Sequence, residues 1–524
     1  MTIRLTSKRL LITAISIGLI AYIIYLSTSS GSGKNGDKNP KNILTIAFDS
    51  KIQSGDPRLI GSDANSQYIE NLRFLPLISF DEEGNTLYML ADEVKILSNK
   101  SWKISLKKGV KFNNGKEIDA YDAEATYLQI LSPQTDFPPS PRKGAFSNVS
   151  VFKATSKYEI LIELKTPDTS FLTNLTIGIL PKDAALSSPP NVVDSKGYES
   201  GPFLLKSASA SNWLLVRNEN YNFSTKAKME QVDFKIITDS GTRYSALVRG
   251  DIDIAQNAID PDKISLLQKT KSDIFNILSG PKLSTTYLAF NFRDPVFSNL
   301  KVRQAIAYAI DRKSLLQFRL QDQGILASSM FPPNHYYFDS NIPELPFNTQ
   351  RAKTLLKESG ITDPISFSIK VSNSNKSTVE VAKAIAANLA DVGFIPTVEM
   401  LENSVFLDQV KRGVAKVWIS PWVGFKDPDH LRFVFASSMV PPAGGNRGAF
   451  SSASVDELLQ EGREEVKPEK RKVIYDQAQE LLAGEMPYVY LWHSLNVAVV
   501  AKNVEGYKLY SDGRYWSIIN VTKK

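Results

Sequence analysis

Apolar residues recur along this chain in two rhythms. Trp102, Ile104 and Leu106 alternate with polar neighbours at the period of a half-buried strand. Val232, Phe234 and Ile236 do the same, as do Ile365, Phe367, Ile369 and Val371. Helical spacing appears between such runs. Val302, Ala305, Ile306 and Ala309 fall at i, i+3, i+4 and i+7, one buried face, behind a cap at Ser298 or Asn299. Ala123, Tyr127 and Ile130 form the inner stripe of a second helix, capped by Asp119 with Asp122 three residues on. Ile43 to Phe48 reads as a buried strand, Asp56-Pro57 and Asn114-Gly115 as turns. A short helix carries Tyr244, Leu247 and Val248, and the Pro- and Ser-rich segment 132–145 reads as an exposed loop.

The C-terminal part alternates more regularly. A helix runs from a cap at Asn348 to Gly360, and a strand covers Ile365 to Val371. A helix over 377–392 ends at Gly393, and an extended run covers 394–401. Another helix ends near Gly413, before a strand over Val417–Ser420. Such alternation predicts a mainly parallel sheet. Ser454 with Glu457 reads as a capping box, and Pro468 and Gly484 bracket a further helix. No internal repeat is present.

Composition narrows the class. The 524 residues suit about three domains at roughly 150 residues each, and 42% hydrophobic with 22% charged residues predicts a sizeable core. The net charge of +7 comes without a Lys/Arg cluster interleaved with aromatics, so nucleic acid is a poor partner. The absence of cysteine excludes disulfides, thiol nucleophiles and thiolate metal sites. His335, His430 and His493 lack ligand-type neighbours at helical spacing, so no metal site is expected from them. No G-x-S-x-G, H-E-x-x-H or phosphate-loop motif occurs, and no cofactor is implied. Gly31, Gly33 and Gly36 spell G-x-G-x-x-G, but no strand precedes them and Pro40 comes after.

Arg4, Lys8 and Arg9 precede an uncharged run of 17 residues, Leu10 to Leu26. That layout directs export and places the chain beyond the run outside the cytoplasm. Cleavage among Ser27–Gly33 and retention as a membrane anchor are the two readings. The length of the run and the lack of an A-x-A site favour the anchor. Residues 27–42 then form a flexible tether.

Five segments, in order, resemble the family 5 extracellular solute-binding proteins of ABC importers, the oligopeptide-, dipeptide- and nickel-binding type. They are Trp102–Leu131, Gly201-Pro202-Phe203 with Arg217-Asn218 and Tyr221, Gly250–Ile254, Tyr287–Ser314 and Ser420–Pro428. The similarity runs from about residue 43 to 524. It implies an α/β, two-lobed periplasmic binding protein fold with an additional inserted domain and a hinge between the lobes. By analogy, lobe I comprises 43–73, 199–286 and 491–524, the inserted domain 74–198, and lobe II 287–490. Many relatives carry an acylated cysteine after the signal peptide; this chain has none.

The resemblance also implies where a ligand sits. Ser420–Pro428 comes directly after a strand, where open α/β sheets bind ligands, and is similar to the family's "W-x-(A/G)-D-x-x-D-P". In peptide-binding members its first aspartate pairs with the ligand's α-amino group. Here Phe425 stands three residues after Trp422 in that place, leaving Asp427 as the candidate replacement. His430 lies near as a polar contact. Asn446, Arg447 and Phe450 resemble a cleft-lining loop, with Arg447 suited to an anion, and Gly201 and Pro202 resemble a turn close to the ligand. The implied function is capture of a short peptide or peptide-like solute, with a permease and ATPase as partners, the inner membrane as anchor and a monomeric state. No enzymatic activity is implied. A receptor presenting ligand to a sensor, and an exported hydrolase, are the alternatives.

Overall fold

The structure, a computed structural model, describes residues 42–61, 63–82, 84–133, 137–187, 197–374 and 376–524. The export segment Leu10–Leu26 and residues 27–41 of the tether lie outside the described residues. Among the described residues no helix is long and apolar enough to cross a membrane.

Eleven strands form one mixed sheet. Its order runs Ile395–Leu401, Ser366–Ser372, Val417–Val423, Phe275–Phe290, Tyr488–Ala501, Ile254–Gln256, Ile43–Phe48, Gln231–Ile236, Asn212–Arg217 and Phe203–Ala208, with Gly324–Leu326 added alongside Tyr488–Ala501. Two of these strands tie the sheet together. Phe275–Phe290 has 16 residues, a span of about 50 Å, and runs antiparallel to the 14-residue Tyr488–Ala501. From Phe275 to Pro281 it pairs with Ala501 to Leu495, beside the strands nearer the N-terminus. From Thr285 to Ala289 it pairs with His493 to Tyr488 and with Val417–Val423.

The register breaks between Pro281 and Thr285. Proline has no amide hydrogen for the ladder, so a break at this position is the local solution. The interrupted backbone is pinned from both directions: Leu283 N–H donates to the Ser511 carbonyl, and Gly424 N–H donates to the Leu283 carbonyl.

Each half of the sheet is covered on both faces. Helices Leu300–Ala309, Arg312–Arg319, Thr349–Glu358 and Lys376–Ala390 bury one face of the half beyond the break. Val302, Ala305, Ile306 and Ala309 are all fully buried there, and Asn299 supplies the cap. Helices Asn403–Lys411, Ala453–Glu464 and Pro468–Glu485 bury the other face. Separate clusters around Phe203, Leu215, Phe234 and around Leu247, Ile264, Val499 cover the half that precedes the break.

A second body has its own sheet and core. Strands Ala91–Ser98, Ser101–Leu106, Glu159–Leu164 and Val149–Ser156 pair antiparallel. Helix Ala120–Leu131 packs on them behind the capping box of Asp119 and Asp122. Trp102 stacks on Phe171 at 5.9 Å, and Tyr127 on Phe152 at 4.4 Å.

Several local expectations change. Only Ile395–Leu401, Ser366–Ser372 and Val417–Val423 are mutually parallel at this end. The central pair is antiparallel, because Phe275–Phe290 carries the chain into this half of the sheet and Tyr488–Ala501 carries it back out. Helix Ala453–Glu464 starts after Ser452, so Ser454 and Glu457 do not form a capping box. Gly484 falls inside Pro468–Glu485, and Met486 takes the left-handed conformation at φ 51°. Strand Val417–Val423 passes Ser420, with Pro421 paired opposite Thr286. Val248 is exposed; Ala246 and Leu247 make the buried contact of helix Ser240–Val248.

Gly201 joins helix Ala64–Arg73 to strand Phe203–Ala208. Its N–H donates to the Arg73 carbonyl at 2.7 Å, and an added Cβ would lie 2.4 Å from the Leu72 carbonyl oxygen. Backbone cannot step aside as a flexible side chain can. Gly201→Ala is expected to lower the unfolding free energy by about 1–3 kcal/mol in urea titration, without changing ligand affinity.

Candidate functional site

The site starts where strand Val417–Val423 ends. Gly424, at φ 75°, turns the chain into a loop that leads to helix His430–Phe435. The loop faces the four-stranded body across a cleft of about 950 Å³. Phe425, Lys426, Asp427, Asp429, His430 and Phe433 line one wall; Asn148, Lys165, Thr166, Asp168, Ser170 and Asn174 line the other. A recess of about 140 Å³ shares Thr176, Gly424 and Lys426 with the cleft and reaches Glu70, Asp512 and Arg514. One side of the cleft is aromatic and the other is rich in hydroxyl and amide groups. Such a surface is suited to stacking and hydrogen bonding with an amphipathic solute.

One ion pair spans the cleft and another lies in its recess. Arg463 Nη2 meets Asp168 Oδ2 at 2.7 Å, and the Arg463 carbonyl accepts from Thr169 Oγ1 at 3.0 Å. Lys426 Nζ lies 3.0 Å from Asp512 and 3.9 Å above the Phe80 ring. Burial pushes the Lys426 ammonium down to about 8, with Asp512 opposing. Burial works against ionisation of Asp512, but Lys426 and Arg514 hold it well below the usual carboxylate range. Asp429 is pushed up to about 7 by burial, although Arg432 lies 3.1 Å away.

The structure places Phe425, Asp427 and His430 on the cleft wall. His430 stacks on Phe425 at 5.4 Å, and its Nε2 is buried without a hydrogen-bond partner among the described residues. Trp422 stands behind this wall. It stacks on Tyr287 at 6.1 Å, meets His430 and Phe433 edge-on, and carries the Arg447 guanidinium 4.6 Å from its ring centroid. Asp427 grips both terminal nitrogens of Arg471, at 2.8 and 2.7 Å.

The remaining candidates point elsewhere. The Asn446 carboxamide donates to the Ala436 and Phe450 carbonyls and accepts from Phe450 N–H, tying its own loop together. Phe450 is buried against Phe292 and Phe435. Gly201 and Pro202 are buried, with Gly201 on the backbone of the Ala64–Arg73 helix end. Sequence reasoning missed the opposite wall. Asn148 and Lys165–Asn174 carry no motif; the one local signal is Asp168, which caps the turn Thr169–Asn174. Among the described residues no three His, Asp or Glu side chains converge as metal ligands.

Two sheet halves joined by continuous strands, with a cleft beside the break in those strands, define a hinged, two-lobed binding protein. The chain belongs to the bacterial extracellular solute-binding proteins, family 5, whose middle-region profile matches residues 88–438. The oligopeptide-binding protein AppA of Bacillus subtilis is 26% identical to it, over 95% of this chain and 97% of AppA. The heme-binding protein A of Haemophilus influenzae is also 26% identical, over 92% of both chains. The solved structure of HbpA2 from Haemophilus parasuis superposes with a TM-score of 0.81, covering 92% of this chain and all of that one at 22% identity.

Burial pushes His335, His430 and His493 each down to about 4. A histidine with a depressed value stabilises the fold fully above about 6.5 and loses that contribution as pH falls through about 4. Asp429 has the opposite sign: its contribution is full below the ordinary carboxylate value and lost as pH rises through about 7. The three histidines outweigh Asp429 together with Asp122 and Asp476, which burial also raises, so a net uptake of protons on unfolding is expected between about pH 6.5 and 4. The melting temperature is expected to fall across that interval in scanning calorimetry, and His493→Gln is expected to flatten the fall.

Proposed function

We propose that this chain is the solute-binding component of an ABC importer. It captures a short peptide or peptide-like molecule between two lobes and carries it to a membrane permease, where an ATPase subunit drives the cycle. It works as a monomer and catalyses no reaction; the ligand enters and leaves unchanged. The carrying observation is the cleft of about 950 Å³ between two separately cored bodies, beside the strand break. That volume is near the upper end for enclosed ligand sites and suits several residues of peptide. The name of the Bacillus subtilis relative supports the same ligand class.

We place lobe I at 43–73, 199–286 and 491–524, the inserted domain at 74–198 and lobe II at 287–490. The sheet order and the four-stranded body support these divisions, and the register break supports a hinge at Lys282–Ser284. Closure about such a hinge encloses the ligand. Residues 10–26 tether the protein to the outer side of the inner membrane, a reading supported by their uncharged composition behind Arg4, Lys8 and Arg9.

Native mass spectrometry of the protein purified without added ligand is expected to reveal bound masses that sequence as short peptides; a single non-peptide mass would redirect the assignment. With a ligand in hand, Trp422→Ala is expected to weaken binding more than tenfold in titration calorimetry without unfolding the protein. Unchanged affinity would remove the Trp422 cluster from the site.

A further inference from the structure

Among the described residues that line the cleft, no carboxylate is without a cation partner. Five line the cleft or its recess, and each is held by a cation of the chain itself. Asp427 takes both arms of Arg471. Asp429 receives Arg432 Nε at 3.1 Å on both oxygens, and Asp168 receives Arg463 at 2.7 Å. Glu70 takes both arms of Arg142, at 3.0 and 2.5 Å, and Asp512 is shared by Lys426 and Arg514.

This pairing sets what the closed cleft tolerates. An ammonium group shut away from water needs an ionised partner. A carboxylate that released its guanidinium to serve a ligand would strand the guanidinium instead, so the exchange gains nothing. Lys165 is the converse case. It lines the cleft, is exposed, and donates to the Ser147 carbonyl at 2.7 Å, with no carboxylate partner among the described residues. The same wall carries the neutral groups of Thr166, Thr173 and Asn174, which suit amides, and its carboxylate Asp168 is taken by Arg463.

We infer that the captured solute is a peptide-like molecule whose amino end is blocked and whose carboxylate end is free, the carboxylate meeting Lys165. This rests on the peptide-capture reading above. A blocked amino end is a neutral amide that hydroxyl and carboxamide groups satisfy, and it costs far less to enclose than an unpartnered ammonium.

Titration calorimetry of the full-length protein against short peptides, each supplied in matched free-amine and N-acetyl forms, tests the inference. For peptides that bind, the N-acetyl form is expected to bind at least about tenfold more tightly. Equal or tighter binding of the free-amine forms would overturn the inference and leave peptide capture standing. Binding of neither form would overturn both. Amidating the carboxyl end of an N-acetyl ligand is expected to weaken it at least about threefold, and less so in Lys165→Ala. An equal loss in both proteins would overturn the placement of the carboxylate at Lys165.

Discussion

Two hydrogen-bonded strands pass through both halves of the main sheet, and the rest of the molecule is arranged around that constraint. Along most of their length, Phe275–Phe290 and Tyr488–Ala501 cannot flex without losing ladder hydrogen bonds. Between Pro281 and Thr285 the ladder between these two strands is interrupted, and a second irregularity falls between Thr286 and Tyr287. The Leu283 backbone is held by Ser511 on one side and Gly424 on the other. Gly424 begins the loop that forms the aromatic cleft wall. The break and the cleft-lining loop are thus connected directly through Leu283 and Gly424.

The cleft is charged yet internally balanced. Asp168 with Arg463 joins the four-stranded body to helix Ala453–Glu464, and Lys426 with Asp512 joins the loop after Gly424 to the C-terminal segment. Ion pairs of this kind return their groups to water when they separate, so Coulomb gain and desolvation cost largely cancel. Such pairs register the segments they join without locking them together. Burial of Lys426 and of Asp429 shows the desolvation side of the same balance.

Much of the architecture was legible because periodicity is a local property. The buried face of Leu300–Ala309, the capping box at Asp119 and the alternation of Ser101–Leu106 each arise from residues within a turn or two. The antiparallel centre of the sheet was not legible, since strand direction there depends on a chain that leaves and returns across some 200 residues. The site divides in the same way. Phe425, Asp427 and His430 reach the cleft because a loop at the end of a strand is exposed by geometry. Asn446 and Phe450 turn inward because their partners, Ala436 and Phe435, bury them. The partner of Asp427 lies 44 residues away in sequence, and no spacing rule connects it to Arg471. The opposite wall carries ordinary loop residues that acquire a role only through the body on which they sit.

That body has a core of its own, built around Trp102, Tyr127, Phe146 and Phe171, apart from the clusters that stabilise the main sheet. It contributes one cleft wall through residues 144–148 and 165–176, and none of its strands belongs to the hinged sheet. One cleft wall thus sits on a body outside the sheet that carries the strand break, while the other, Phe425 to Phe433, hangs from a strand of that sheet. Substitutions confined to residues 144–148 and 165–176 would reshape that one face and leave the ladder of the main sheet intact, so the two walls of the cleft are open to change one at a time.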